Sequence, residues 1–177
     1  MRNIILKNNI EVTIREATKE DAQNMIDFYN VVGGETDFLS FGANEFKRDV
    51  REYEEYITAT SNEQNSIMLL ALIDSEIISI ATINSSQKER TKHVGTLGIV
   101  ISKKYTGLGL GKILMNDLIE GAKQNGVTKK ISLVTNETNT VAIELYKKLG
   151  FEVEGLLKQD NFIRGSYSNT VVMGMLI

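Results

Sequence analysis

The stretch 97–122 joins two apolar patterns of different period through a glycine-rich turn. Leu97–Ile101 is a short apolar run rich in β-branched residues, and from Leu110 to Ala122 apolar residues recur at helical spacing. Gly107, Gly109 and Gly111 lie at the junction. Glycines let the backbone approach a ligand closely, and the N–H groups and dipole of a helix N-terminus favour negative charge. The stretch therefore predicts a strand, a phosphate- or pyrophosphate-binding turn and a helix.

The glycine spacing disfavours two common nucleotide-binding motifs. A dinucleotide motif G-x-G-x-x-G starting at Gly107 would have its third glycine one residue after Gly111, and a P-loop would continue Lys112 with Ser or Thr instead of Ile113. No acidic residue at the end of a following strand is placed to hold a ribose. The turn alone thus predicts that a phosphate group is bound, but not which ligand contains it.

Composition limits the classes of site that this chain can form. The absence of cysteine excludes disulfides, thiolate zinc sites and cysteine nucleophiles, and a single histidine, His93, is too few for a multi-histidine metal site. We therefore expect no metal. A net charge of −3 argues against a nucleic-acid partner. Since no long apolar run and no signal-peptide core occur, we expect no membrane partner and a cytoplasmic location.

Apolar periodicity predicts one domain, 1–177, of mixed α/β class. The unit 94–135 is a strand–helix–strand crossover and gives a parallel central pair, while hairpin patterns before and after it give antiparallel neighbours. We predict a mostly antiparallel sheet of about six to seven strands with helices on both faces, and we interpret Gly33-Gly34 as a break after the first helix. The predicted strands are 10–14, 67–73, 77–83, 97–101, 130–135, 151–157 and 170–177, and the predicted helices are 18–29, 45–59, 110–124 and 139–149.

A second motif indicates which phosphate-containing ligand the turn binds. Residues 139–151, which follow N-x-x-A-x-x-L-Y-x-K-x-G-F, resemble the hallmark segment of the GCN5-related N-acetyltransferases (GNAT), and Thr106–Gly111 resembles the acetyl-CoA signature of that family. The resemblance covers about residues 10 to 177 and is strongest over 94–151. Phe151–Gly155 and the tail look like the branch that acetylates small amines or amino acids, which includes phosphinothricin-type enzymes. The resemblance implies acetyl-CoA as co-substrate, a small-molecule amine as acceptor, direct attack in a ternary complex and a possible homodimer.

The resemblance also implies roles for individual residues. Tyr146 is placed as the general acid that protonates the departing thiolate, with a core tyrosine as the alternative. Asn139 contacts the pantetheine arm or only caps its helix. Lys112 adds charge near the phosphates or is simply solvated. The full cofactor-binding set is Ile99, Val100, Ile101, Gly107, Leu108, Gly109, Leu110, Gly111, Lys112, Asn139 and Tyr146.

Two positions depart from the family pattern. The Arg or Gln that opens the acetyl-CoA signature is Thr106, which leaves the backbone N–H groups but removes a long polar side chain. The position of the glutamate that some relatives use as general base is occupied by Thr96, so we predict Glu35 as the base, with Asp37 behind it. The alternative is that either carboxylate binds a cationic substrate or faces solvent. His93 is expected at the far end of the strand.

The acceptor pocket follows no recognisable motif. Its candidate lining residues are Phe38, Phe41, Tyr53, Phe162, Arg164 and Tyr167, of which only Arg164 suggests a substrate carboxylate. The acceptor could therefore also be a protein N-terminus or lysine. A protein that binds acyl-CoA without catalysis is the alternative of another class.

Overall fold

The computed structural model describes residues 1–177 as one eight-stranded sheet with four α-helices. The strands are β1 (Arg2–Ile5), β2 (Glu11–Glu16), β3 (Ile67–Ile73), β4 (Glu76–Ser85), β5 (Val94–Ile101), β6 (Lys130–Asn136), β7 (Glu152–Ile163) and β8 (Ser166–Leu176). The helices are α1 (Ala22–Glu35), α2 (Val50–Ser61), α3 (Leu110–Gln124) and α4 (Thr140–Lys148). None of them is both long enough and apolar enough to cross a bilayer.

The strand order is β1-β2-β3-β4-β5-β6-β8-β7, and only the β5–β6 pair is parallel. This confirms the predicted mixed sheet with its central parallel pair. The strand count is one higher than the upper end of the prediction, because β1 was missed. Arg2–Ile5 is a four-residue edge strand whose two polar residues precede its two isoleucines, so it shows no alternation.

Apolar side chains are buried on both faces of the sheet. On β3, Leu69 and Ala71 pack into a core with α3 and α4, whereas Met68, Leu70 and Leu72 pack into a second core with α1 and α2. Burial of both faces explains why this strand is a continuous apolar run rather than an alternating one.

Two boundaries on the α1–α2 side differ from the sequence prediction. The helix α1 continues through Gly33, where a Cβ would clash with the backbone carbonyl of Gly42, so this glycine permits close packing rather than a break. The second helix begins at Val50 instead of residue 45, because the Asp49 side chain accepts hydrogen bonds from the N–H groups of Arg51 and Glu52.

The parallel contact between β5 and β6 is short. It consists of three residue pairs, Val94–Lys130, Gly95–Ile131 and Thr96–Ser132. Beyond Thr96, β5 pairs only with β4, and beyond Ser132, β6 pairs only with β8. The sheet therefore splits open toward the carboxyl ends of these two strands.

A largely buried ion pair fixes the entry into α1. Arg15 donates to both carboxylate oxygens of Asp21 at 2.7 Å, and Asp21 also accepts from the Thr18 N–H at 2.8 Å. The hydrogen bond from Arg15 is the main cause that lowers the pKa of Asp21, and the Thr18 N–H acts in the same direction. The ionised form of Asp21 is thus bound more favourably in the folded state than in the unfolded state.

Acid is therefore expected to weaken the fold through Asp21. Because its folded-state pKa lies below the unfolded value, its contribution is present above the unfolded pKa and is lost as pH falls below about 4. We expect Asp21→Asn to lower the free energy of unfolding at pH 7 by about 1.5–3 kcal/mol and to flatten its dependence between about pH 5 and 2. Urea unfolding at several pH values measures this, with the exposed Glu55→Gln as control. Equal acid slopes for wild type and Asp21→Asn would contradict it.

Candidate active site

The glycine turn after β5 has the backbone that its sequence predicts. Gly107 and Gly109 take positive φ angles of 76° and 94°, and Gly109 is the N-cap residue of α3. L-residues with side chains rarely adopt this conformation, so glycine is needed at both places. Leu110 is buried in the core, and its contribution to a ligand would be through its backbone.

The N–H groups of this turn have no acceptors in the protein. Gly107, Leu108 and Gly109 donate no backbone hydrogen bond, and the first bond of α3 runs from the Ile113 N–H to the Gly109 carbonyl at 3.3 Å. The N–H groups of Leu110, Gly111 and Lys112 belong to the first helical turn, which has no internal acceptors. A continuous row of donors at a helix N-terminus is a binding site for an anion.

The start of α3 lies against both flanks of the split. A Cβ on Gly111 would lie 3.3 Å from Cδ1 of Ile101 on β5 and 3.8 Å from Cδ2 of Leu145 on α4. The donor row, the end of β5 and the helix after β6 therefore meet at the open end of the sheet. The hypothesis that the two sequence motifs form one site requires this arrangement.

The end of β5 presents one unpaired edge. Ile99 and Ile101 pack toward the core of α3 and α4, and Val100 packs toward the core of α1 and α2. The Val100 carbonyl accepts from the Ser79 hydroxyl at 2.7 Å, which binds the strand to β4. The backbone of these residues has no β6 partner, so an extended ligand could pair with it as an added strand.

Asn139 is the N-cap residue of α4, but its side chain does not cap the helix. Its Nδ2 donates to Oγ1 of Thr135 at 3.1 Å, and its Oδ1 accepts no hydrogen bond from the chain. Capping by the side chain is therefore not the reason for asparagine here. The contact with Thr135, which the sequence analysis missed, holds the side chain at the end of β6 with a free acceptor.

Tyr146 is 8% exposed and packs against Phe151, with ring centroids 6.1 Å apart. Its hydroxyl makes no hydrogen bond within the chain. No fully buried side-chain oxygen or nitrogen in the structure lacks a partner, so this hydroxyl must reach accessible space. Burial raises the pKa of the Tyr146 hydroxyl. The side chain is thus fixed by the core and offers a protonated donor at one free atom.

Glu35, at the end of α1, contacts the backbone that leads into the glycine turn. Its Oε2 accepts from the Lys103 N–H at 2.7 Å, and its Oε1 lies 3.5 Å from the Ser102 hydroxyl. Lys103 begins the single helical turn Lys103–Tyr105 that precedes Thr106. One carboxylate oxygen therefore positions the turn, and the other has no strong partner.

Thr106 and His93 both make hydrogen bonds within the chain. The Thr106 hydroxyl donates to the Lys103 carbonyl at 2.9 Å, so it turns back onto its own turn. His93 directly precedes β5 at the opposite end from the glycines and accepts with its carbonyl from Lys129 and Lys130. Lys112 is exposed in the first turn of α3.

The candidate acceptor residues form two groups. Phe41 and Tyr53 belong to an aromatic cluster with Tyr29 and Phe46 that packs between α1 and α2. Phe162 and Tyr167 pack against each other in a tilted arrangement at the tip of the β7–β8 hairpin, with ring centroids 4.9 Å apart. Phe38 is partly exposed on the α1–α2 segment.

The α1–α2 segment and the hairpin tip are joined by an ion pair. Asp37 Oδ2 lies 3.1 Å from Nε of Arg164, and both side chains are well exposed. The sequence suggested both segments for the acceptor side, and the structure brings them together through these two residues.

The fold and this site define a class of protein that binds an extended, anion-bearing ligand across a split sheet. The chain belongs to the acetyltransferase (GNAT) family, whose sequence profile matches residues 35–151. No group of three or more acidic or histidine side chains is placed to hold a metal ion.

Individual relatives agree with this membership. The chain is 32% identical over 105 residues to the L-amino acid N-acetyltransferase AaaT of Escherichia coli (strain K12). That match covers 59% of this chain and 65% of the relative, slightly less than two thirds of its length.

Solved structures show the same fold over nearly the whole chain. A GNAT-family acetyltransferase from Streptococcus pneumoniae has a TM-score of 0.90 and 35% identity, covering 94% of this chain and 99% of that one. A phosphinothricin acetyltransferase from Sinorhizobium meliloti, solved in complex with AcCoA, has a TM-score of 0.80 and 20% identity, covering 94% and 88%.

Proposed function

We propose that this protein is an acetyl-CoA-dependent N-acetyltransferase that acts on the primary amine of a small molecule. The observation that carries the proposal is the split between β5 and β6, which has unpartnered N–H groups at the end of one strand and Asn139 and Tyr146 after the other. An amino acid or a close analogue is the proposed acceptor, in line with the name of the AaaT relative.

The residues present fit coenzyme A. The N–H groups from Gly107 to Lys112 would hold the pyrophosphate, and the unpaired edge of Ile99–Ile101 would pair with the pantetheine amides. The free Oδ1 of Asn139 is an acceptor for an N–H of the same arm. The Sinorhizobium structure, which has the same fold, was solved in complex with AcCoA, and this supports acetyl-CoA as the co-substrate.

The protein would contribute positioning and proton transfer. When bound, acetyl-CoA supplies the acetyl group as an activated thioester. The site holds this thioester and the amine together, which converts a bimolecular attack into a reaction between aligned groups. Tyr146 donates its phenolic proton to the sulfur as the carbon–sulfur bond breaks, and since no cysteine exists the acetyl group passes directly to nitrogen.

Glu35 is the proposed proton acceptor for the incoming ammonium, directly or through water. Its Oε1 is available for this, while its Oε2 holds Lys103. The proposed roles of the two oxygens can be separated by mutation, because glutamine keeps an acceptor for the Lys103 N–H but cannot take up a proton at neutral pH.

We expect Glu35→Gln to lower kcat by about tenfold, which is below the usual range of about 10²–10⁴ for general-base catalysis, because solvent reaches this half-buried position and can accept the proton instead. The KM for acetyl-CoA should stay near wild type, since the amide oxygen replaces Oε2 at Lys103. Glu35→Ala should lower kcat and also raise this KM. Steady-state kinetics with both substrates measures the effects on kcat and on KM separately. Asp27→Asn, on the exposed face of α1, is the control. Wild-type kcat in Glu35→Gln would remove Glu35 as the base and leave it a positioning residue.

An acceptor screen tests the function itself. Purified protein is incubated with acetyl-CoA and each of a panel of amino acids, amino-acid analogues, polyamines and N-terminal peptides, and free thiol is measured. Thiol release with an amino acid supports the proposal, and release only with peptides would instead indicate a protein acetyltransferase. Tight acetyl-CoA binding without thiol release on any acceptor would indicate a non-catalytic acyl-CoA-binding protein.

A further inference from the structure

Lys7 lies on the short turn between β1 and β2, far in sequence from the glycine turn. The turn is closed by hydrogen bonds from the Leu6 N–H to the Ile10 carbonyl and from the Asn9 N–H to the Leu6 carbonyl, both 2.9 Å. Asn9 takes a positive φ of 62°, and Leu6 is buried in the α3–α4 core at 3% exposure. Lys7 is therefore carried on a fixed backbone, while its own side chain is exposed.

The Lys7 side chain extends over the glycine turn. Its Cε lies 3.8 Å from the position that a Cβ on Gly109 would occupy. A second contact fixes the strand against the same helix: Arg2 donates to both carboxylate oxygens of Asp117 in α3, at 2.6 and 2.5 Å. Strand β1 is thus attached along α3, with Lys7 at the N-terminal end of that helix.

The ammonium of Lys7 has no carboxylate partner within the chain, since no acidic group lies within ion-pair distance of it. Lys112 is a further exposed cation in the first turn of α3, but the loop before it lacks the long side chain of the family pattern. Thr106 stands where the family pattern has Arg or Gln and donates to the Lys103 carbonyl, and the Lys104 ammonium lies 5.1 Å from the centroid of the Tyr105 ring. A free cation next to unpartnered N–H groups favours an anionic ligand.

We propose that Lys7 binds a phosphate group of coenzyme A and takes the place of the long side chain that is missing at Thr106. This inference rests on the proposed acetyl-CoA site and adds a residue outside both sequence motifs. A lysine suits the position because its ammonium binds phosphate as a point charge, and its stem can lie along Gly109 without needing a planar fit.

The test compares Lys7→Met, which keeps the stem and removes the charge, with Lys7→Arg and with Lys88→Met, a control at an exposed loop far from the turn. Titration calorimetry at about 20 mM ionic strength measures the Kd for acetyl-CoA and for acetyl-pantetheine, which lacks the pyrophosphate and the nucleotide. We expect Lys7→Met to raise the Kd for acetyl-CoA about fivefold, the upper range for one exposed charge pair. The Kd for acetyl-pantetheine should not change.

Screening and rescue give two further readouts. At about 300 mM ionic strength the Kd values of wild type and Lys7→Met for acetyl-CoA should move closer together. Salt at this concentration shortens the Debye length to less than about 10 Å and so screens the attraction between the exposed ammonium and the phosphate. Lys7→Arg and Lys88→Met should bind like wild type.

The other possible results would each contradict either the role of Lys7, its contact with phosphate, or the proposed function. Equal acetyl-CoA affinity of wild type and Lys7→Met, with wild type binding normally, overturns the role of Lys7 and leaves the proposed function intact. An equal loss for acetyl-CoA and acetyl-pantetheine in Lys7→Met overturns the phosphate contact. No binding of acetyl-CoA by wild type overturns the proposed function together with this inference.

Discussion

Tyr146→Phe is expected to lower kcat about 100-fold or more while leaving the KM for acetyl-CoA within about twofold. The change removes one oxygen, which is the proposed proton donor to the leaving sulfur, and general acids contribute roughly 10²–10⁴ to rate. The ring keeps its packing against Phe151. Since the hydroxyl has no hydrogen-bond partner in the chain, the free energy of unfolding should change by less than about 0.5 kcal/mol. Steady-state kinetics and thermal unfolding measure the two effects.

The pH profile separates an acid role from a structural one. Burial raises the pKa of Tyr146 above the ordinary tyrosine value, so kcat of the wild type should show no loss of this acid up to about pH 9. In Tyr146→Phe the remaining rate should depend on solvent as proton donor. Wild-type kcat in Tyr146→Phe across this range would remove Tyr146 from the mechanism.

Gly109→Val is expected to raise the Kd for acetyl-CoA about 100-fold. A β-branched residue at φ 94° carries a backbone strain of about 1–3 kcal/mol, and relief of that strain rotates N–H groups of the donor row away from the ligand. Each lost hydrogen bond to a charged group costs about 1.5–3 kcal/mol, and an affinity change of about 100-fold corresponds to about 2.7 kcal/mol. Titration calorimetry gives the Kd.

Gly126→Val is the matched control for this strain. Gly126 also has a positive φ of 75°, lies just beyond α3 at the opposite end, and has open space where a Cβ would be. Both variants should lose stability by a similar amount in thermal unfolding, but only Gly109→Val should lose affinity. A parallel loss of affinity in Gly126→Val would mean that the effect comes from general destabilisation.

The sequence predicted those parts of the candidate site that are formed by residues adjacent in the chain. The strand–turn–helix around Gly109 and the helix that contains Asn139 and Tyr146 each depend on a few adjacent residues, and the family motifs cover both. The split between β5 and β6 could not be derived from periodicity, because pairing that stops after Thr96 leaves no trace in the alternation of the strand.

The parts that were missed depend on contacts between distant segments. Lys7 has no local signal, since its position over Gly109 requires β1 to lie beside α3 through Arg2 and Asp117. The meeting of Asp37 with Arg164 likewise depends on how two loops are oriented. At Gly33 a local signal is misleading. Glycine commonly ends a helix, but here it lies within α1 and allows close packing against Gly42.

The short parallel pairing between β5 and β6, a seam of three residue pairs, also affects the stability of the molecule. Each side of the seam is continuous in the chain, with β1–β5 before it and β6–β8 after it, and three residue pairs form the only strand-to-strand contact across it. In the proposed placement, a ligand that fills the split would pair with the β5 backbone on one side and contact Asn139 on the other, and would act as a removable partial strand. At a concentration of 100 times its Kd such a ligand stabilises the fold by about 2.7 kcal/mol. Acetyl-CoA supply would then set the resistance of this protein to unfolding and proteolysis as well as its rate of acetyl transfer.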